Sequence, residues 1–414
     1  FPDSKDYKTQ SEFSIFSFDF FAPKPTSSFS PRPFTVPLFY KLASSDPCRM
    51  VMLQKVIHCI SVITLVVSIL MYLSKKWIKL LSLCLLLYFF TWWNIVGWTG
   101  NILSESLSLS FMLLWFAIIL CYYRKQSWIN FLLLTIVTIL LSFTRDTWPY
   151  IILLYSIINI LILKLFNKNV LKQGVAFFVF SICLFLAQNY SSSRGERYKL
   201  PVFNSIAGRI AQNDSYLLWF ENEGMPLIEK LKKDFRGILI DEKENRSIVY
   251  SKYNDPEYVL LNNWILKDGK KVYQKFILTH WSYFLLFDQT FDQSNRIFCS
   301  NLQDYTQKPK DFFLNADSTF PYFSLLPCIL LIVLIALLML VKRNMIFIFP
   351  VLVAILFTVN ALISYNADAL EVKRHLFVTQ IVLEFISLLS LLLLLDNMHL
   401  IKDLFNKIKK VNAV

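Results

Sequence analysis

Four kinds of signature are missing from this sequence: a Gly-rich phosphate loop, a nucleophile elbow, a zinc-ligand spacing among the seven cysteines, and an internal repeat. Without them no phosphate, acyl or zinc chemistry can be assigned from a local motif, and no repeat architecture is implied. Charge is also scarce along nine long stretches: 52–73, 77–96, 102–122, 128–143, 149–166, 171–188, 322–340, 345–362 and 376–395. Each is near the ~20 residues that a helix needs to cross the hydrocarbon. With 55% hydrophobic residues and a mean hydropathy of +0.48, the chain is too apolar for a soluble globule of its length.

The charges that are present sort by side. Threading the nine stretches alternately through a bilayer gathers Lys75, Lys76, Lys79, Arg124, Lys125, Lys164, Lys168, Lys172, Lys342 and Arg343 on one face, with Lys402, Lys407, Lys409 and Lys410 in the tail. The short loops of the other face carry only Arg145, Lys373 and Arg374. This bias puts the lysine-rich face in the cytoplasm. Much of the +13 formal charge therefore serves anionic headgroups and orientation, and nucleic acid is not implied. The expected fold is all-α. It is a polytopic transmembrane bundle of about nine visible helices, with a small, mostly helical extracytoplasmic domain. Its parts are a first external loop (1–51), a six-helix membrane region (52–188), the domain (189–321), a three-helix membrane region (322–396) and a basic cytoplasmic tail (397–414). No cleavable signal peptide is visible, and a translocated 1–51 segment is expected to follow one further membrane helix preceding Phe1.

Within 1–50, five prolines (Pro23, Pro25, Pro31, Pro33 and Pro37) break any long helix, and the Phe-rich stretch 13–21 suits the lipid interface. In 189–321, residues 223–235 and 257–267 read as helices. Gly269 reads as a break before an aromatic amphipathic helix over 271–287. Asn189, Asn213 and Asn245 open glycosylation tripeptides by spelling alone. Cys59, Cys84, Cys121, Cys183 and Cys328 fall in apolar stretches and are expected to be small buried hydrophobes. Spacing leaves open whether Cys48 and Cys299 pair.

Chemistry is sought among the ionisable residues of the external face. Asp3, held at the interface, could take a proton from an attacking hydroxyl, or be a solvated acid. Glu105 opens an apolar helix, with Asn101 and Ser108 at helical spacing. It suits the helix dipole, and an acid so close to lipid is also a functional candidate. In Arg145-Asp146-Thr147-Trp148-Pro149, Asp146 or Thr147 can cap a helix and Pro149 suits its first turn. Arg145 is left over. An external arginine works against the charge bias and could grip a phosphate with two prongs. Lys373, Arg374 and His375 repeat the anomaly before the last helix. Snorkelling to headgroups is the plain alternative for both sites.

Taken together, these motifs resemble a known family. Asp3-x-x-x-Tyr7 leads into Arg32-Pro33 and Pro37-Leu38-Phe39-Tyr40. Ser104-Glu105-Ser106-Leu107, Arg145-Asp146-Thr147 and Asp368-Ala-Leu-Glu371-Val-Lys-Arg374-His375 follow. The set is similar to the bacterial polytopic sugar transferases of the GT-C superfamily, the protein mannosyltransferase and aminoarabinose transferase group. Each motif is short and degenerate, and together they span most of the chain. The resemblance implies a sugar donor on a polyprenyl phosphate, an acceptor that is a glycan, lipid or protein, and direct displacement with inversion at the external face of a bacterial inner or plasma membrane. It places the general base on Asp3, with Asp6 as fallback. Substrate contacts fall to Tyr7, Glu105, Arg145, Asp146, Lys373, Arg374 and His375. The second acidic pair common in that family has no counterpart beyond Glu105 or Asp146. No cofactor follows with certainty, and a divalent metal stays open. The alternative is a non-enzymatic transporter or flippase. Transporters carry ionisable groups near mid-membrane in repeated halves, whereas here Glu384 is the main charge within a helix and no repeat shows.

Overall fold

The computed structural model describes residues 2–26, 29–165, 171–238, 246–285, 331–336, 345–369 and 372–399. Among these the regular structure is helical, with one isolated bridge between Thr26 and Phe29. The N-terminal segment holds three short helices, α1 (Pro2–Ser11), α2 (Phe18–Phe21) and α3 (Thr35–Leu42). The bundle follows as α4 (Pro47–Leu70), α5 (Lys76–Phe90), the single turn α6 (Trp93–Val96), α7 (Ser104–Arg124), α8 (Trp128–Ser142), α9 (Trp148–Leu165) and α10 (Leu171–Arg194). A helical domain comes next: α11 (Lys199–Gly208), α12 (Asp214–Asn222), α13 (Ile228–Phe235), α14 (Arg246–Tyr253), α15 (Val259–Trp264), α16 (Lys270–Thr279) and α17 (Trp281–Phe284). Two long helices close the described chain, α18 (Met345–Ala367) and α19 (Val372–Asp396).

Eight of the nine apolar stretches thus carry described helices, and the ninth, 322–340, lies outside the described residues apart from helical residues 331–336. Among the described residues five helices are long and apolar enough to cross a membrane: α4, α7, α10, and the segments Ile346–Ala367 and Leu376–Asp396 of α18 and α19. α8 and α9 are apolar but shorter.

The pattern of burial explains the bundle. α7 is its centre, with 89% of its apolar window buried, and α4, α8, α18 and α19 pack around it. The outward face of α4 is an unbroken stripe of Met52, Val56, Ile60, Ile63 and Val67, all exposed. Its inward face carries Gln54, His58, Ser61 and Ser68, all buried. Apolar outside with small and polar residues between helices is the arrangement that suits a lipid solvent. The buried hydroxyls are satisfied locally, Ser61 donating to the Ile57 carbonyl at 2.8 Å and Ser68 to that of Thr64 at 2.7 Å. Further in, Trp115 Nε1 donates to Thr138 at 3.0 Å and the Tyr122 hydroxyl to Gln173 at 2.8 Å. The same outward facing corrects the cysteine expectation. Cys59, Cys84 and Cys183 are exposed, because they lie on or beside such stripes, and Cys121 is half-buried. Cys299 and Cys328 lie outside the described residues.

The domain has its own core, built on Phe203, Ile206, Phe220, Leu231, Phe235, Tyr258 and Phe276. Two details differ from the sequence expectation. The stretch 223–235 is interrupted, since Gly224 (φ 83°) and Leu227 (φ 64°) take left-handed backbone between α12 and α13. Gly269 does not break its helix. The chain runs through it as a π turn (Ile265–Gly269), and a Cβ there would sit 3.0 Å from the Trp264 ring. That glycine makes room for an indole. Asn213, one of the glycosylation spellings, caps α12 by accepting from the backbone N–H of Ser215 and Tyr216.

Candidate functional site

Chain alternation brings the starts of α4, α7, α9 and α19 to one end of the bundle, together with the domain and the N-terminal segment. At that end Glu105, in the first turn of α7, is 1% exposed. Its carboxylate accepts from Arg374 Nε at 3.0 Å and Nη2 at 3.4 Å, and Arg145 Nη2 lies 4.0 Å away. The Ser104 hydroxyl adds a contact at 3.2 Å. Arg374 is itself in the first turn of α19, and Arg145 lies three residues before the first residue of α9. A cation at a helix start faces the positive end of the dipole, so both arginines occupy positions that need an anion nearby. Burial lowers the pKa of the Arg145 guanidinium, Glu105 opposes this, and Arg374 reinforces it.

Trp148 and Ser108 hold the geometry from beneath. Trp148 Nε1 donates to the Ser108 hydroxyl at 2.6 Å, and Ser108 lies 2.7 Å from the Thr144 hydroxyl, next to Arg145. Ser108 therefore ties α7 to the turn before α9. Asn101 lies ahead of the helix rather than on it, and its carbonyl accepts from Gln54 at 3.3 Å.

Asp146 faces elsewhere. Its oxygens take Arg197 Nη2 at 2.8 Å and Nε at 3.1 Å, and Gln188 Nε2 at 2.6 Å. It joins the α8–α9 turn to the end of α10. Asp6 is likewise engaged, accepting from Arg32 Nε at 3.2 Å and Nη2 at 2.9 Å and from the Ser30 N–H at 3.2 Å. Tyr7 is buried, with Arg32 6.0 Å from its ring centre and its phenol within electrostatic reach of Arg145. α1, the helix of Asp3, Asp6 and Tyr7, packs on α3, and Asp3 precedes Tyr7 by one helical turn. The side chains of Asp3, Lys373 and His375, and all of Glu371, lie outside the described residues.

The structure therefore gathers Glu105, Arg145 and Arg374, sets Tyr7 beside them, and assigns Asp146 and Asp6 to other ion pairs. Sequence reading did not single out Arg197. The signal was there: Arg194 and Arg197 follow an apolar stretch on the face where the charge bias leaves few cations, the anomaly that marked Arg145. Among the described residues no group of three or more His, Cys, Asp or Glu is placed to hold a metal ion. Compared with protein-family models, with curated proteins and with solved structures, the chain matches none.

Proposed function

We propose that this chain is an integral membrane glycosyltransferase that moves a sugar from a polyprenyl phosphate to an acceptor at the arginine-bearing, external end of the bundle. The carrying observation is the buried Glu105–Arg145–Arg374 cluster at the starts of three helices, at one end of a bundle whose helices can cross a membrane. Helix starts and guanidiniums both favour a phosphate, and Arg374 and Arg145 can meet it with two prongs each. Glu105 keeps the two like charges together while no substrate is bound. As the sugar leaves, negative charge grows on the lipid phosphate, where fixed cations lower the barrier most. Asp3 is assigned the proton of the acceptor hydroxyl. In this reading Asp6 fixes Arg32 and the fold of the first loop rather than serving as base, since its carboxylate is held by that guanidinium.

The test is transfer by the purified chain, in lipid discs, from a polyprenyl-phosphate sugar. Asp3→Asn should lower turnover by roughly 10²–10⁴-fold, as loss of a general base does, while donor binding persists. If Asp3→Asn turns over like the unaltered chain, the base lies elsewhere. With the native cysteines replaced by alanine, cysteine placed at Ser192 should react with an impermeant reagent in intact cells and cysteine at Asn412 should not. The opposite result inverts the orientation.

A transporter or flippase is the second reading, and Glu384 is what favours it. This carboxylate lies midway along α19 and is half-buried, where an ionisable group is costly and commonly functional. Flux of a lipid-linked sugar across proteoliposomes, abolished by Glu384→Gln and unaffected by Asp3→Asn, would select that reading.

A further inference from the structure

The turn between α1 and α2 shows an unusual exposure. Phe16 is 92% exposed, and Ile15 and Phe18 beside it are exposed too. A tight hydrogen-bonded turn presents them. The Ser17 N–H and hydroxyl both donate to the Ser14 carbonyl, at 2.9 and 2.7 Å, and the Ser17 hydroxyl caps α2 through the Phe20 N–H at 3.1 Å. The turn thus meets many of its own backbone needs, which is what apolar surroundings demand.

Its position along α10 indicates what covers it. The exposed face of α10 is a stripe of Leu171, Val175, Val179, Leu186 and Tyr190. From Leu171 to Tyr190 the helix rises roughly 28 Å, close to the ~30 Å of hydrocarbon. Tyr190 then falls at the level of the aromatic belt. Phe18 packs against Tyr190, ring centres 5.9 Å apart, and continues the stripe at that level. Arg194 fastens the junction. Its guanidinium lies 4.6 Å from the Phe18 ring centre and 2.7 Å from Asp19. The apolar turn is therefore an extension of a lipid-facing surface, with Arg194 beside it.

We propose that residues 15–18 form a wedge inserted into the bilayer interface, with Phe16 among the upper acyl carbons and Arg194 at the phosphates. The partner is the lipid of the membrane in which the chain resides. The wedge fixes the depth of α1, and through it the height of Asp3 and Tyr7 above the hydrocarbon. The inference rests on the helices crossing a membrane and is independent of the transferase reading.

Benzoylphenylalanine in place of Phe16, in the full chain with its native cysteines, tests it in phosphatidylcholine–phosphatidylglycerol vesicles. Irradiation should yield adducts with the mass of a phospholipid at position 16, as at position 186, and none at position 12, where Glu12 is exposed. Adducts at 186 without adducts at 16 overturn the proposal. So does cross-linking of position 16 to a second copy or to another segment of the chain. A second measurement covers poor expression: Phe16→Cys carrying a nitroxide, the native cysteines replaced by alanine. Its collisions with oxygen should exceed those with a water-soluble nickel chelate several-fold, whereas nickel access equal to that at position 12 contradicts insertion.

Discussion

Two buried carboxylates stand at opposite ends of the bundle, and they are held differently. Asp396, at the end of α19, is 2% exposed. One oxygen accepts from the Ser74 N–H and hydroxyl, both at 2.9 Å, and the other from the Lys75 N–H at 2.9 Å. It caps the start of α5 from another helix, and Lys75 Nζ reciprocates to the Leu395 carbonyl at 3.2 Å. Glu105, equally buried, faces the ends of two long arginines, Arg374 at 3.0 Å and Arg145 at 4.0 Å. Backbone N–H groups cannot leave without unwinding a helix, whereas a guanidinium can exchange a carboxylate for another anion by rotating. In the proposed function Asp396 is thus a fixture, and Glu105 a place-holder. The lysines near Asp396 lie at the cytoplasmic surface of the proposed orientation. The arginines near Glu105 lie within the fold, and a cation enters a fold only where an anion meets it.

The largest stability effect is expected at Glu105. Glu105→Ala leaves two buried guanidiniums facing each other and should cost about 3–5 kcal/mol in unfolding. Asp396→Ala removes a cap and should cost less, about 1–2 kcal/mol. Equal losses would erase the distinction between the two ends. Arg374→Lys keeps a charge opposite Glu105 and loses the two-pronged contact, so about 1–3 kcal/mol is expected. An unchanged midpoint for Arg374→Lys would mean that the fork geometry is not used.

The smallest effect should come from the domain, at Asp234. Asp234 is partly desolvated, which raises its pKa, but hydrogen bonds from Lys252 and Tyr258 outweigh this and hold it below the usual carboxylate range. A depressed folded pKa contributes stability above the unfolded value, near 4, and loses it as pH falls through the folded one. Hydrogen-exchange protection in α13 and α15 should therefore fall below about pH 4. Asp234→Asn should remove that slope while leaving the melting of the bundle unchanged.

Much of the bundle was legible in the sequence because lipid imposes a length and a composition on each helix. Eight apolar stretches carry described helices near their expected bounds. The break at Gly269 was misread because glycine's flexibility is visible in sequence, whereas its use beneath Trp264 is a tertiary contact. Glu105, Arg145 and Arg374 were legible as anomalies of charge placement, each at a helix start on the cation-poor face. That Glu105 would pair with Arg374, with Arg145 close by, was not. The pairing joins residues far apart in sequence, and no local rule carries it. Asp146 was read as a cap and a substrate contact, yet it is bound to Arg197, whose anomaly is the same kind and was passed over.

The central claim is that the arginine end binds a lipid phosphate. Its most direct measurement is the affinity of a short-chain polyprenyl phosphate for the purified chain, in discs of neutral lipid. The comparison is with Arg374→Gln and, at the opposite end, Lys76→Gln, an exposed lysine. The account predicts that Arg374→Gln weakens binding by about tenfold or more, the worth of a charge-assisted hydrogen bond, and that Lys76→Gln leaves it unchanged. Equal effects of the two substitutions, or no saturable binding by the unaltered chain, would contradict it.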